Sequence, residues 1–155
     1  MLQERMSVCV DEVSLWMASN RLLLNPTKTE VLWCSSVRRQ LQSTDPTTGS
    51  VRIGNTSVVT VSLVRDLGVY IDADLTMSAH ITETIRACFA ALRQIRSVRR
   101  YLTREALLTL LRALVITKVD YCSSTLAGVS SALLQCLQSV LNAAARLVFL
   151  SLIHI

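Results

Sequence analysis

Six arginines, Arg86, Arg93, Arg96, Arg99, Arg100 and Arg104, follow one another along the chain with no Asp or Glu after Arg86 until Glu105. A guanidinium is planar and permanently charged, and it grips a phosphate through two parallel N–H donors, so a run of this kind can track a nucleic-acid backbone. Counted from Ile81 at about 100° per residue, Arg86, Arg93, Arg96 and Arg100 fall at about 140°, 120°, 60° and 100°, along one flank of a helix. An ordinary solvated helix face is the other reading of these residues. The missing acids favour phosphate binding.

Other chemistry is thinly represented. In Tyr70-Ile71-Asp72-Ala73-Asp74 two carboxylates stand at i and i+2, which on a strand share a face and suit a Mg²⁺ ion. A strand running into a turn commonly ends in Asp, and metal-dependent phosphoryl chemistry needs further ligands, so no metal site is assigned. His80 and His154 have no HxxxH or HExxH partner. The cysteines (Cys9, Cys34, Cys88, Cys122 and Cys136) are odd in number, far apart and free of any CxxC pair, which suggests neither a disulfide framework nor a zinc site. A GxSxG elbow and a Gly-rich phosphate loop are both missing from the sequence. Lys28, in NPTKTEVL (25–32), lies between a helix and a strand, where a lone loop lysine is ordinarily just solvated.

The composition frames these residues. A chain of 155 residues, 51% hydrophobic and 17% charged with four Gly and two Pro, fits one globular domain or a piece of a larger one and excludes a disordered or collagen-like polymer. The net charge of +5 is unevenly spread: residues 1–85 carry seven Lys/Arg against nine Asp/Glu, and residues 86–155 carry nine against two. Fourteen of the sixteen basic residues are Arg, which points to a polyanionic partner. Glu4, Arg5, Asp11 and Glu12 interrupt the N-terminal apolar pattern, so no signal peptide is expected and a cytoplasmic or nuclear location follows. Near the C-terminus only Leu147–Ile155 is almost free of polar groups, too short a run to span a bilayer, and no membrane partner is expected.

The elements that must position the arginines can be read from periodicity. Met6, Val10, Val13 and Met17 follow the 4-3-4 step of an amphipathic helix over Leu2 to about Asn20, closed by Asn25-Pro26. Glu30–Cys34 reads as a strand, and the polar stretch Ser35–Ser50 as an exposed loop. Val51–Ile53 and Val58–Val61 flank Gly54-Asn55, a hairpin signal. Arg65–Asp72 reads as a further strand with Leu67, Val69 and Ile71 on one face. Three helices are then expected. The first spans 77–100 with Ile81, Ile85, Cys88, Leu92 and Ile95 inward, and the second is capped by Thr103 and buries Leu107, Leu111, Leu114 and Val115. The third spans Ser131–Phe149, after a break at Gly128.

Taken together, LWMASNRLLLN (15–25), NPTKTEVL (25–32), LVRDLGVYID (63–72), RALVITKVDYC (112–122) and LQSVLNAAARLVF (137–149) resemble, in order and spacing, the reverse transcriptase of LINE-type (non-LTR) retrotransposons. The resemblance covers residues 2 to about 149. It implies that the first helix packs on a polymerase palm and that Lys28 takes the position of the motif D lysine, a candidate general acid toward the pyrophosphate leaving group. It also implies that Leu67, Gly68 and Val69 form a primer grip near the primer 3′ end, with the missing side chain of Gly68 permitting close backbone approach. The Arg-rich helix becomes a thumb helix lying along RNA/DNA template-primer, with Arg86, Arg93, Arg96, Arg100 and Arg104 on the nucleic acid.

The chain departs from that family at both ends. Reverse transcriptases hold two Mg²⁺ ions on an Asp of motif A and the paired Asp of a YADD-like motif C, and neither sequence occurs here. The chain is therefore expected to be a C-terminal fragment of an RNA-directed DNA polymerase. By this reading it has lost the fingers and the N-terminal part of the palm, holds no cofactor itself and is unable to polymerise alone. Relatives continue past AARLVF into polar sequence, whereas LSLIHI (150–155) is atypical and is read as a truncated or mistranslated end. The expected architecture is α+β: a small antiparallel β palm remnant with one N-terminal helix over 1–75, then a three-helix thumb-like bundle over 76–149. Loss of neighbouring elements is expected to leave apolar sheet surface open to association and to lower solubility. The alternative is a stand-alone basic helical module that binds nucleic acid without any polymerase activity.

Overall fold

The computed structural model describes residues 2–34, 50–121 and 123–149. The fold is α+β, and its residues divide between two compact units, Met1–Leu75 and Thr76–Ile155. Of the expected loop Ser35–Ser50, residues 35–49 lie outside the described residues, as does the tail over 150–155, and Ser50 is not loop but the first residue of a strand.

In the first unit, α1 (Leu2–Ser19) turns Met6 and Val10 onto a small sheet whose buried centre is Val31, Val51 and Ile53. The helix ends in a Schellman motif. The Leu22 N–H donates to the Met17 carbonyl at 2.8 Å and the Arg21 N–H to the Ala18 carbonyl at 3.1 Å, which requires Arg21 to sit at φ 60°. Val13, expected on the inner stripe, is 47% exposed, because α1 rests on strand β2 and Val13 faces away from that contact.

Strand β1 is Val31–Leu32, shorter than the Glu30–Cys34 run, and β2 (Ser50–Ile53) and β3 (Thr56–Val61) form the hairpin signalled by Gly54-Asn55. Gly54 sits at φ 57°, and Ile53 pairs with Thr56 across the turn. The strand order is β1-β3-β2, with β1 parallel to β3, so this sheet is mixed rather than wholly antiparallel. Arg52 on β2 and Asp11 on α1 form an ion pair at 2.5 Å, and the hydrogen bond to Asp11 raises the Arg52 pKa above its ordinary value.

The stretch Arg65–Asp72, expected as one strand, is instead a hairpin. Strand β4 (Leu63–Asp66) turns through Leu67-Gly68 into β5 (Val69–Asp72), and Asp66 pairs with Val69. A type I′ turn, one of the two-residue turns that follow the right-handed twist of their strands, needs positive φ at both central residues, and Leu67 at 45° and Gly68 at 89° supply it. Leu67 is consequently 85% exposed at the tip and does not share a buried face with Val69. Arg65, opposite Tyr70 in this register, places its guanidinium 5.5 Å from the centre of the tyrosine ring.

The second unit is helical. Helix α2 spans Ser78–Val98, and a 3₁₀ turn, Arg99–Tyr101, follows it. Helix α3 (Arg104–Leu111) opens on Thr103, whose hydroxyl accepts the Ala106 N–H at 3.2 Å, as a Thr N-cap should. A π turn over Arg112–Ile116 carries the chain into α4 (Thr117–Asp120), and α5 runs Ser131–Phe149. Gly128, at φ 84°, marks the break before α5.

The core of this unit joins Cys88, Leu92 and Ile95 of α2 to Leu107, Leu111 and Val115, and to Val140, Ala144 and Leu147 of α5. Leu107, Leu111, Val115 and half-buried Val119 recur every four residues, a step that overshoots an α-helical turn by about 40° each time. The π turn takes up this drift: the Thr117 N–H bonds to the Arg112 carbonyl five residues back, and the extra residue per turn keeps the row facing inward. Leu114, expected inside on α-helical spacing, is 40% exposed for the same reason. Helix α5 is long and apolar enough, by length and composition, to cross a membrane, so the apolar span is longer than the Leu147–Ile155 run. Here it buries Leu137, Val140, Ala144 and Leu147.

Candidate functional site

Helices α2 and α5 pack directly on each other, and along their contact the second unit carries a groove of about 300 Å³. Its floor is apolar: buried Leu92 and Leu147 with half-buried Phe89 and Ala143. Its walls are Arg93, Arg96 and Arg99 from one side and Arg146 from the other.

Helical spacing explains the arrangement. Arg93 and Arg96 stand one residue beyond the buried positions Leu92 and Ile95, so their stems flank the core stripe while their charged ends reach water. Arg146 precedes buried Leu147 on α5 in the mirror-image relation. The ion pairs Arg52–Asp11 and Arg86–Glu83 involve none of the four groove arginines, and among the described residues no carboxylate lines the groove. Four permanently charged donors around an apolar floor have the chemistry to hold an anion, with room for an aromatic or aliphatic group beneath it.

The structure thus divides the six clustered arginines, four of which (Arg86, Arg93, Arg96 and Arg100) are expected on one flank. Arg93 and Arg96 line the groove. Arg86 pairs with Glu83 at 2.6 Å on the exposed face of α2 and is not among the lining residues. Arg100, expected to continue the α2 row, falls outside it because α2 ends at Val98. The 3₁₀ turn instead places the Arg100 guanidinium 5.6 Å from the centre of the Tyr101 ring. Arg104 begins α3, also outside the groove.

Two groove residues are not assigned to the binding row by a reading of the sequence. Arg99 would fall at about 0°, on the apolar stripe itself, had the α-helix continued. Arg146 reads only as an interruption of an apolar segment. Its place directly before a core leucine is the signal that could find it, once α5 is paired with α2.

The remaining candidates lie elsewhere. Lys28 is exposed in a 3₁₀ turn, Pro26–Lys28, that Asn25 caps by accepting the Thr27 N–H at 3.0 Å. Leu67 and Gly68 form the β4–β5 turn, and Val69 is buried at the start of β5. Asp72 closes β5 and Asp74 is exposed beyond it, and among the described residues no three His, Cys, Asp or Glu side chains gather where they could hold a metal ion. His80 is buried near the start of α2, and that burial lowers its pKa.

Fold and site together define an α+β protein whose helical unit presents a basic groove with an apolar floor. Comparison with protein-family models, curated proteins and solved structures finds no match for the chain.

Proposed function

We propose that the helical unit binds the phosphate backbone of RNA/DNA template-primer, as a thumb-like part of a retrotransposon RNA-directed DNA polymerase that does not polymerise alone. The observation that carries this is the groove between α2 and α5, where Arg93, Arg96, Arg99 and Arg146 converge without an acidic neighbour among its lining residues. The Arg-only composition of the walls supports phosphate as the ligand, since a guanidinium binds two phosphate oxygens at once.

In the complete polymerase, two Mg²⁺ ions on the Asp motifs absent from this sequence would carry the chemistry. Lys28, exposed on its Asn25-capped turn, would protonate the leaving pyrophosphate, and Leu67, Gly68 and Val69 would approach the primer end. The test is binding of the full chain to a labelled RNA–DNA hybrid at a series of salt concentrations. Affinity should fall linearly on a log–log plot, and replacing Arg93, Arg96 and Arg99 by Ala should make the slope shallower by about one for each phosphate that is no longer neutralised. A salt-independent affinity, or a triple variant with the parent's slope, would refute the proposal. The stand-alone module uses the same groove and differs in predicting no preference for a primer-template junction over uniform duplex.

A further inference from the structure

We propose that the α2–α5 groove takes a single unpaired nucleotide of a bound strand, with its base on the apolar floor and its phosphate among the arginines. The inference rests on the nucleic-acid reading above and specifies the ligand of that same groove.

Three observations lead to it. First, a volume of about 300 Å³ lies at the small end of ligand sites, which run from roughly 300 to 1,000 Å³. That is space for one nucleotide, not for a stretch of double helix. Second, a groove serving phosphates alone gains nothing from an apolar floor, whereas Phe89, Leu92, Ala143 and Leu147 provide a surface on which a flat base can be desolvated, with Phe89 offering an aromatic face. Third, the walls carry four cations and no anion, which suits a ligand with a negative group attached to an apolar ring. Exposed Arg100, next in the chain to Arg99, extends the positive surface past the groove and favours a strand over a free nucleotide, because adjoining phosphates can be held as well.

The experiment compares three hybrid duplexes on the full-length chain by fluorescence anisotropy: blunt-ended, with one unpaired adenosine at the 5′ end, and with one at the 3′ end. One of the overhanging duplexes should bind about tenfold more tightly than the blunt one, the range expected for stacking one base. AMP should compete away that advantage at concentrations where inorganic phosphate does not. Phe89→Leu keeps apolar volume and removes the aromatic face, so the overhang-to-blunt affinity ratio should drop toward one, with thermal unfolding confirming that the variant is folded. Arg96→Ala, at an exposed position, should weaken binding of all three duplexes. Equal affinity for the blunt and the two overhanging duplexes overturns this inference and leaves backbone binding standing. If none of the three binds, both proposals fail. If AMP and inorganic phosphate compete equally, the groove is a plain phosphate site and the base-binding role of the floor is overturned.

Discussion

The Sγ of Cys88, midway along α2, lies 3.9 Å from the carbonyl oxygen of Val115 in the π turn, and both residues are fully buried. The thiol, a weak donor, meets the segment in which the α-helical hydrogen-bonding pattern is displaced by one residue. Burial pushes the Cys88 pKa above its ordinary value near 9, against a smaller downward pull from Lys118.

Burial of this thiol should make the helical unit less stable at alkaline pH. A thiol that ionises less readily when folded contributes stability fully present below about pH 9 and lost as pH rises beyond it, since the unfolded chain gives up its proton first. Urea unfolding should therefore show stability declining above pH 9, with less of a decline in Cys88→Ala. That variant should cost about 1 kcal/mol at neutral pH through poorer packing. Iodoacetamide should modify exposed Cys9, Cys34 and Cys136 in the native protein and reach Cys88 only when the bundle opens. Rapid native-state labelling of Cys88 would contradict the burial.

His80 acts at the other end of the pH scale. Its pKa is lowered by burial, so the unfolded chain takes up a proton first as pH falls below about 6.5. The stabilisation is present above that value and is lost as pH drops through the lower folded-state pKa. Denaturation midpoints at pH 7.5 and pH 5.5 should differ in that direction, and His80→Gln should reduce the difference.

Arg21 occupies the left-handed position of the α1 Schellman motif, where a side chain is disfavoured. Arg21→Gly should raise the stability of the first unit by about 1 kcal/mol. Its thermal midpoint is the measurement, and a fall would mean that Arg21 makes a contact outweighing the backbone relief.

Leu67 is in the same conformation at the β4–β5 turn, with its apolar side chain in water. Leu67→Asn installs the Asn-Gly pair that such turns favour and should stabilise the hairpin by up to about 1 kcal/mol. Under the proposed primer-grip reading the same change would also weaken primer-template binding, separating a folding effect from a binding one.

Local signals in the sequence are legible where one residue type dictates one geometry. Gly54 locates the β2–β3 turn, Thr103 the start of α3, Gly128 the break before α5, and the spacing of Cys88, Leu92 and Ile95 the inner face of α2. The Leu67-Gly68 turn is not legible, because leucine is a poor resident of a positive-φ turn and gives no warning of one. Leu114 is misplaced when α-helical spacing is carried through a π turn, whose extra residue keeps Val115 inward and turns Leu114 outward.

The site is legible in kind and not in membership. Clustered arginines without acids locate the charge, and the i, i+3 spacing of Glu83 and Arg86 fits their ion pair, yet helical angles cannot show that α2 stops before Arg100. Nor can they bring in Arg146, which depends on a helix some fifty residues further along the chain.

That last dependence couples ligand to fold. In an unfolded chain nothing holds Arg146 beside Arg93, Arg96 and Arg99, so the groove exists only while α2 and α5 are docked. A ligand of that groove is thus a selective partner of the native state. At a hundredfold excess over its Kd it would add about 2.7 kcal/mol to the unfolding free energy of the bundle. Under the proposed function nucleic acid would then serve as a folding cofactor, and the fraction of intact protein would rise and fall with the supply of that ligand.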